Sequence, residues 1–249
     1  MRSRWAPALV VWLLVFPSLA AAASEVDLLR LLERAERKYA EVQDYTACMI
    51  STERVGETLM PEERIVLKFQ RPFKVYMRWV EGPSKGREGL YVNGGKFLVA
   101  EPRGLARLFA AALEPTDARV MERSRHPVTD VGIGRLLEIV GENARRGTRE
   151  KALRVIDRGP GEIAGRRVRQ MEGILPQDPG AGYYGYRVLL AFDEEHGLPL
   201  RVVVYDWKDR LVEDYTYTQL VLNPGLTSRD FDAANGDYGF QAWRIRFPG

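Results

Sequence analysis

The stretch Lys68–Glu101, KFQRPFKVYMRWVEGPSKGREGLYVNGGKFLVAE, decides the fold class. Within it Phe73, Val75, Met77 and Trp79 alternate with Lys74, Tyr76 and Arg78. A period of two puts one set on each face of a strand, so this run has an apolar face and a wet face. Gly82-Pro83-Ser84-Lys85-Gly86 interrupts it, and a second run follows over Glu88–Asn93. Asn93-Gly94-Gly95 then leads into a third, Lys96–Glu101. An Asn-Gly step between apolar runs marks a hairpin, because both residues accept the positive φ of a tight turn. The stretch reads as a meander of antiparallel strands with an aromatic-rich inner face.

Toward the N-terminus, Ile65, Leu67 and Phe69 alternate with Arg64, Val66 and Lys68 over a strand Glu63–Gln70. Pro72 separates it from the next strand, since proline cannot donate to a central ladder. Tyr45–Arg54 is a further strand. Before it, Leu28, Leu29, Leu31, Leu32, Ala35, Tyr39 and Val42 form the stripe of a helix over Ser24–Gln43. Toward the C-terminus, Arg103–Leu113 reads as a short helix, and Thr116–Ser124 as another helical turn or two. Ile133, Leu136, Leu137, Ile139 and Val140 mark a longer helix, capped by Thr129 or Asp130 and ended by Gly147. Strands return at Leu153–Asp157, Arg166–Gly173, Tyr184–Phe192, Leu198–Trp207 and Leu211–Leu222, with a turn region at Gly159-Pro160-Gly161 and Gly165. Phe231–Tyr238 is irregular or a single helical turn. No linker or repeat divides the chain. The expectation is one α+β domain, an open antiparallel barrel holding its helices against one face.

Residues 1–23 stand apart. Arg2 and Arg4 precede an apolar run from Ala8 to Leu19 and then Ala20-Ala21-Ala22-Ala23. That is the layout of a secretory signal peptide cleaved after Ala23, and its apolar run is short for a membrane span. The domain would then be residues 24–249. Removing Arg2 and Arg4 leaves 35 of the 37 basic residues against 34 acidic ones, so such a chain carries +1. This balance gives no nucleic-acid signal. Arg103–Arg169 is more basic, with 15 positive and 9 negative residues, which suits solvated faces or anionic head groups. The only cysteine, Cys48, cannot form an internal disulfide and reads as a small buried hydrophobe.

No catalytic constellation stands out. The two histidines, His126 and His196, lie before a proline and in a hairpin turn, each without a visible partner, and read as structural. Gly132-x-Gly134 lacks the third glycine of a dinucleotide fingerprint. The expectation is a non-enzyme with no metal and no cofactor. What remains is apolar: Phe69, Val75, Met77, Trp79, Phe97, Phe192 and Tyr205 on strands, with Leu105 and Phe109 on the helix beside them. They can be filled core, as aromatic stripes commonly are, or the wall of a ligand cavity left by an incompletely closed barrel.

Several segments resemble a bacterial domain family of unknown function that is similar to the LolA and LolB lipoprotein carriers. They are Arg71–Trp79 (RPFKVYMRW) with Gly82–Lys96 (GPSKGREGLYVNGGK), the helix Leu28–Tyr39, and the strand around Tyr45. The resemblance extends to His126-Pro127-Val128-Thr129 before Gly132-Ile133, and to Asp230-Phe231-Asp232 with Tyr238 and Phe240. It implies a periplasmic protein, a half-barrel with helices packed on its concave side. The helix Leu105–Leu113 would act as a lid over an apolar cavity. The implied partners are a lipid or an acylated lipoprotein, with transient contact to a membrane or a membrane-bound partner and a monomeric state. A non-catalytic cell-envelope interaction or regulatory module of the same fold is the alternative.

Overall fold

The computed structural model describes residues 18–102, 110–240 and 245–246. The first seventeen residues of the expected signal peptide, and Leu105 and Phe109, lie outside them. Among the described residues there are thirteen strands: β1 Asp44–Val55, β2 Thr58–Leu59, β3 Glu63–Gln70, β4 Lys74–Glu81, β5 Glu88–Val92, β6 Phe97–Ala100, β7 Ala110–Leu113, β8 Arg154–Ile163, β9 Arg166–Ile174, β10 Arg187–Asp193, β11 Pro199–Tyr205, β12 Leu211–Leu222 and β13 Ile245–Arg246. The helices are α1 Ser18–Ala40, α2 Ala118–Met121 and α3 Ile133–Arg149.

The strands form one sheet in the order β13-β7-β6-β5-β4-β3-β1-β12-β11-β10-β9-β8, with β2 on β1. All pairings are antiparallel except β13 with β7. The sheet is open, with β8 and β13 as its two edges. Its two meanders, β3–β7 and β8–β12, meet where β1 pairs with both β3 and β12. Strand parity carries across these seams. Met49 faces both Ile65 and Tyr217, and Leu67 pairs with Met77, so one inner face runs through the sheet.

That inner face holds the main core, which includes Tyr45, Leu67, Phe69, Val75, Leu190, Phe192, Val202 and Val204. Helices α1 and α3 complete it with Leu28, Leu32, Ala35, Ile133, Leu137 and Ala144. They lie against each other, and α1 also lies along β8. Arg145 on α3 reaches Glu36 on α1 through Nη1 at 2.9 Å. Arg71, in the β3–β4 connection, donates to the carbonyls of Val42 at 2.7 Å and Tyr39 at 2.8 Å. It thereby adds a charged donor at the end of α1, where the Tyr39 carbonyl also accepts from the Val42 amide at 3.0 Å. The outer face carries a smaller core of Tyr76, Leu90, Ala110, Phe231 and Phe240. There the C-terminal segment is fixed by Tyr238 stacked on Tyr76 at 3.9 Å and by Lys68 bound to Asp230 at 2.7 Å.

Four expectations are corrected. Residues Ala110–Leu113 are strand β7, not the end of a helix, because their register against β6 gives the alanine run ladder partners. Gly147 lies inside α3 and does not end it. A Cβ there would come within 2.7 Å of Leu175 and 2.9 Å of Leu153, so the glycine serves close packing. Of the expected turn region only Gly165 lies in the turn, at Ala164-Gly165, whereas Gly159-Pro160-Gly161 continues β8 as an edge strand, where proline is tolerated. Neither Thr129 nor Asp130 caps α3; the N-cap is Gly132.

Gly132 has φ 114° and ψ 165°, a region reserved for glycine. A Cβ there would also lie 2.7 Å from the Tyr45 hydroxyl. That hydroxyl accepts from the Ile133 amide at 3.2 Å. Gly132→Ala is therefore expected to lower stability by about 1–3 kcal/mol, read as the urea midpoint at unchanged slope. An unshifted midpoint would contradict this account of the α3 entry.

Candidate functional site

Among the described residues the helices do not cover the whole inner face. Over β3–β7 the covering chain is the segment holding α2 and the 3-10 turn Val128–Asp130, and α2 buries no residue fully. Beneath it lies a cavity of about 780 Å³. Its walls include Ile65, Met77, Trp79, Phe97, Val99 and Leu113 from the sheet and Val120, Val128 and Val131 from the cover. Arg87, paired with Glu101 at 2.6 Å, and Arg119 and Arg123 also line it. A second, smaller chamber of about 100 Å³ lies under α3. It is walled by residues such as Leu136, Val140, Leu190, Val202 and Val204, with Tyr217. Met49, Glu53, Ser124, His126 and Val131 border both chambers.

The expected site residues separate into groups. Met77, Trp79 and Phe97 line the large chamber together. Phe69, Val75 and Phe192 are filled core: Phe69 stacks on Tyr45 at 5.1 Å and meets Phe73 edge-on at 5.4 Å, and Val75 and Phe192 are sealed among neighbours. Tyr205 is on the opposite face from Val204, with the Arg187 guanidinium 3.8 Å from its ring. Its apolar character serves that stack and not the cavity. Leu105 and Phe109 are outside the described residues.

At the border of the chambers stands a polar cluster that contradicts the reading of His126 as a residue without partners. His126 Nε2 lies 3.0 Å from Glu213 Oε2 and 2.8 Å from the Tyr184 hydroxyl. Tyr184 also donates to Glu213 at 2.8 Å. Glu53 accepts from Tyr215 at 2.6 Å, from the Ser124 hydroxyl at 3.2 Å and from the Arg125 amide at 2.5 Å. These bonds tie the covering segment to β1 and β12. Burial opposes a positive charge on His126. The hydrogen bond and charge of Glu213, with the charge of Glu53, nonetheless raise its pKa above the ordinary imidazole value. Burial first, and then the neighbouring carboxylates, push the phenols of Tyr184 and Tyr215 up, so both remain donors. Among the described residues no three His, Cys, Asp or Glu side chains are grouped so as to hold a metal ion.

The partners of His126 lie 58 and 87 residues away along the chain, which is why inspection of its neighbours misses them. A signal was available in strand parity. Glu213 occupies an inward position of β12, in register with Glu53 across β1. A carboxylate that faces a core needs partners, and the chain holds only two histidines.

The Mycobacterium tuberculosis lipoprotein LppX superposes with a TM-score of 0.51 at 10% identity, covering 84% of this chain and 100% of that one. An uncharacterized conserved protein from Thermus thermophilus matches at 0.49 and 11% identity over 89% and 99%. MucB of the Pseudomonas aeruginosa MucA/MucB complex matches at 0.47 and 15% identity, over 83% of this chain but 60% of its own. At these identities the LppX likeness establishes a shared fold. No curated protein matches the sequence. Among the described residues no helix is long and apolar enough to cross a membrane. A family model does match, over residues 42–240, the segment that contains strands β1–β12, the covering chain and the lining of the large chamber. The chain belongs to the family described as "Protein of unknown function (DUF1571)".

Proposed function

We propose that the protein is a periplasmic carrier or sensor that takes lipid or lipoprotein acyl chains into the large chamber. In this reading the open sheet is a half-barrel, and the helices and covering segment lie on its concave side. The observation that carries the proposal is the chamber itself. It is bounded by Met77, Trp79, Phe97 and Val99, at a size within the range of pockets that enclose a whole small ligand. An acyl chain moved through water gains about 0.8 kcal/mol for each methylene it buries there. Packing of this kind is non-directional, so it holds a chain without many fixed hydrogen bonds and allows release. Binding without turnover fits the junction, where His126, Tyr184 and Glu213 satisfy one another and the Ser124 hydroxyl is taken up by Glu53. The likeness in fold to a protein described as a lipoprotein supports a place in the cell envelope.

Two measurements test the proposal. Protein purified from a membrane-bearing host should release a stoichiometric lipid on solvent extraction and mass spectrometry. No lipid, together with no binding of an apolar fluorophore, would sink the idea. Paired truncations distinguish wall from core. Phe69→Ala should cost about 3–5 kcal/mol of stability, as core aromatic truncations do. Trp79→Ala should cost far less and weaken fluorophore binding severalfold. Equal stability losses with unchanged binding would show Trp79 to be core.

A further inference from the structure

The bonds that tie the cover to the sheet include one whose charge changes near neutral pH. Ser124 and the Arg125 amide bind Glu53, and His126 binds Glu213. Of these donors only the imidazole titrates between pH 5 and 8. Its side chain is 19% exposed and borders both chambers. At Nε2 it meets Glu213 of β12 at 3.0 Å and the Tyr184 hydroxyl, from the β9–β10 connection, at 2.8 Å. On the other side Asp130 Oδ2 of the cover stands 3.9 Å from Nδ1, and Arg135 of α3 lies 3.7 Å from the other oxygen of Asp130. Glu53 of β1 adds a further negative charge, with Tyr215 of β12 donating to it as a neutral phenol. Arg125 is the opposing cation, 3.9 Å from Glu213. Three carboxylates thus surround one imidazole, on the segment that closes the large chamber.

Resting on the reading of the large chamber as a ligand cavity, we propose that His126 and Glu213 form a proton-controlled latch: protonated His126 holds the cover down, and loss of the proton frees the cover to open and exchange ligand. The imidazolium draws the cover onto Glu213, which is only 5% exposed. Once neutral, His126 can still donate one hydrogen bond, but the charge is gone. Glu213 then keeps the Tyr184 hydroxyl and the more distant Arg125. The sign follows from the surroundings. Burial opposes the charge on His126, but the bond and charge of Glu213 and the charge of Glu53 outweigh it, so the folded pKa is raised above 6.5. The contribution to the closed cover is therefore complete below about pH 6.5, the ordinary imidazole value, and is lost as pH rises through the raised one. The other anchors, on Glu53, do not titrate in this range, so the cover loosens without coming away from β1 altogether.

The test is the rate at which diphenylhexatriene, a probe with no titrating group, leaves the protein for phosphatidylcholine vesicles between pH 5.5 and 8.5. In wild-type protein the rate should rise about three- to tenfold in a single step with its midpoint above 6.5. His126→Gln keeps a donor for Glu213 without the charge, so its rate should be independent of pH and close to the wild-type rate at high pH. Glu213→Gln should move the step to lower pH, and this second variant decides the matter where the first fails to fold. Hydrogen exchange without ligand reads the cover directly. The protection factors of amides in residues 118–131 should fall over the same pH range in wild-type protein while those of α3 do not. A pH-independent wild-type rate, a step that survives in His126→Gln, or an unmoved step in Glu213→Gln would overturn the latch and leave the cavity standing. Protection that stays constant with pH would do the same. A probe that does not bind at any pH would overturn the cavity reading, and the gating role with it.

Discussion

A strand with one apolar face must have that face covered, and here a single sheet of thirteen strands presents one such face. The sequence supplies two substantial helices to do it. Both are committed to one side: α1 lies along β8 and against α3, and α3 enters over Tyr45 and packs its last turns on Leu153 and Leu175. Nothing of comparable length lies over β3–β7 among the described residues. The inner face there is spanned by a four-residue helix and a 3-10 turn, too little apolar surface to fill the space above Met77, Trp79 and Phe97. The cavity is thus a consequence of the mismatch between sheet and cover. The close-packed Tyr45–Phe69–Phe73–Tyr91 chain of rings, a short distance along the same face, shows what filling would look like.

A short cover with little apolar surface has to be held by other means. Glu53 and Glu213 provide them, each binding residues of the segment Ser124–His126 through charge-assisted bonds. Placing two carboxylates on an inward face is costly in itself, and the donors gathered around them offset that cost. The raised pKa of His126 belongs to this arrangement: its charge is worth more beside Glu213 than burial takes away. The polar cluster is therefore part of how the sheet is closed over and also part of the wall that a ligand would meet.

Much of the fold was legible because period-two alternation is local. The bounds of β3 and β12 follow from it, and so does the shared face of Ile65, Met77, Trp79 and Phe97. Where local pattern failed, a distant partner decided. The alanines of β7 have no strand preference of their own and become a strand through β6. Gly147 looked like a helix stop because nothing nearby showed that Leu153 and Leu175 would press on it. Parity alone could not separate wall from core either. Phe69 and Met77 face the same way and are both buried, and only the ring of Tyr45 and the entry of α3 above Phe69 keep it away from the chamber that Met77 borders.

The same reasoning explains why the two halves of the inner face differ in chemistry. Under α1 and α3, packing is set by side chains such as Leu32, Leu137 and Ala144, and opening that region would break the main core. Over β3–β7 the cover rests on hydrogen bonds to two carboxylates, with Val120, Val128 and Val131 as its apolar contribution. A segment with few buried apolar contacts is the part of a protein that opens at the lowest free energy. Its chain is pinned at one end by the Gly132 backbone against Tyr45, where only glycine fits. Access to the large chamber can therefore arise from local release of this cover while α1, α3 and the β1–β12 seam stay in place.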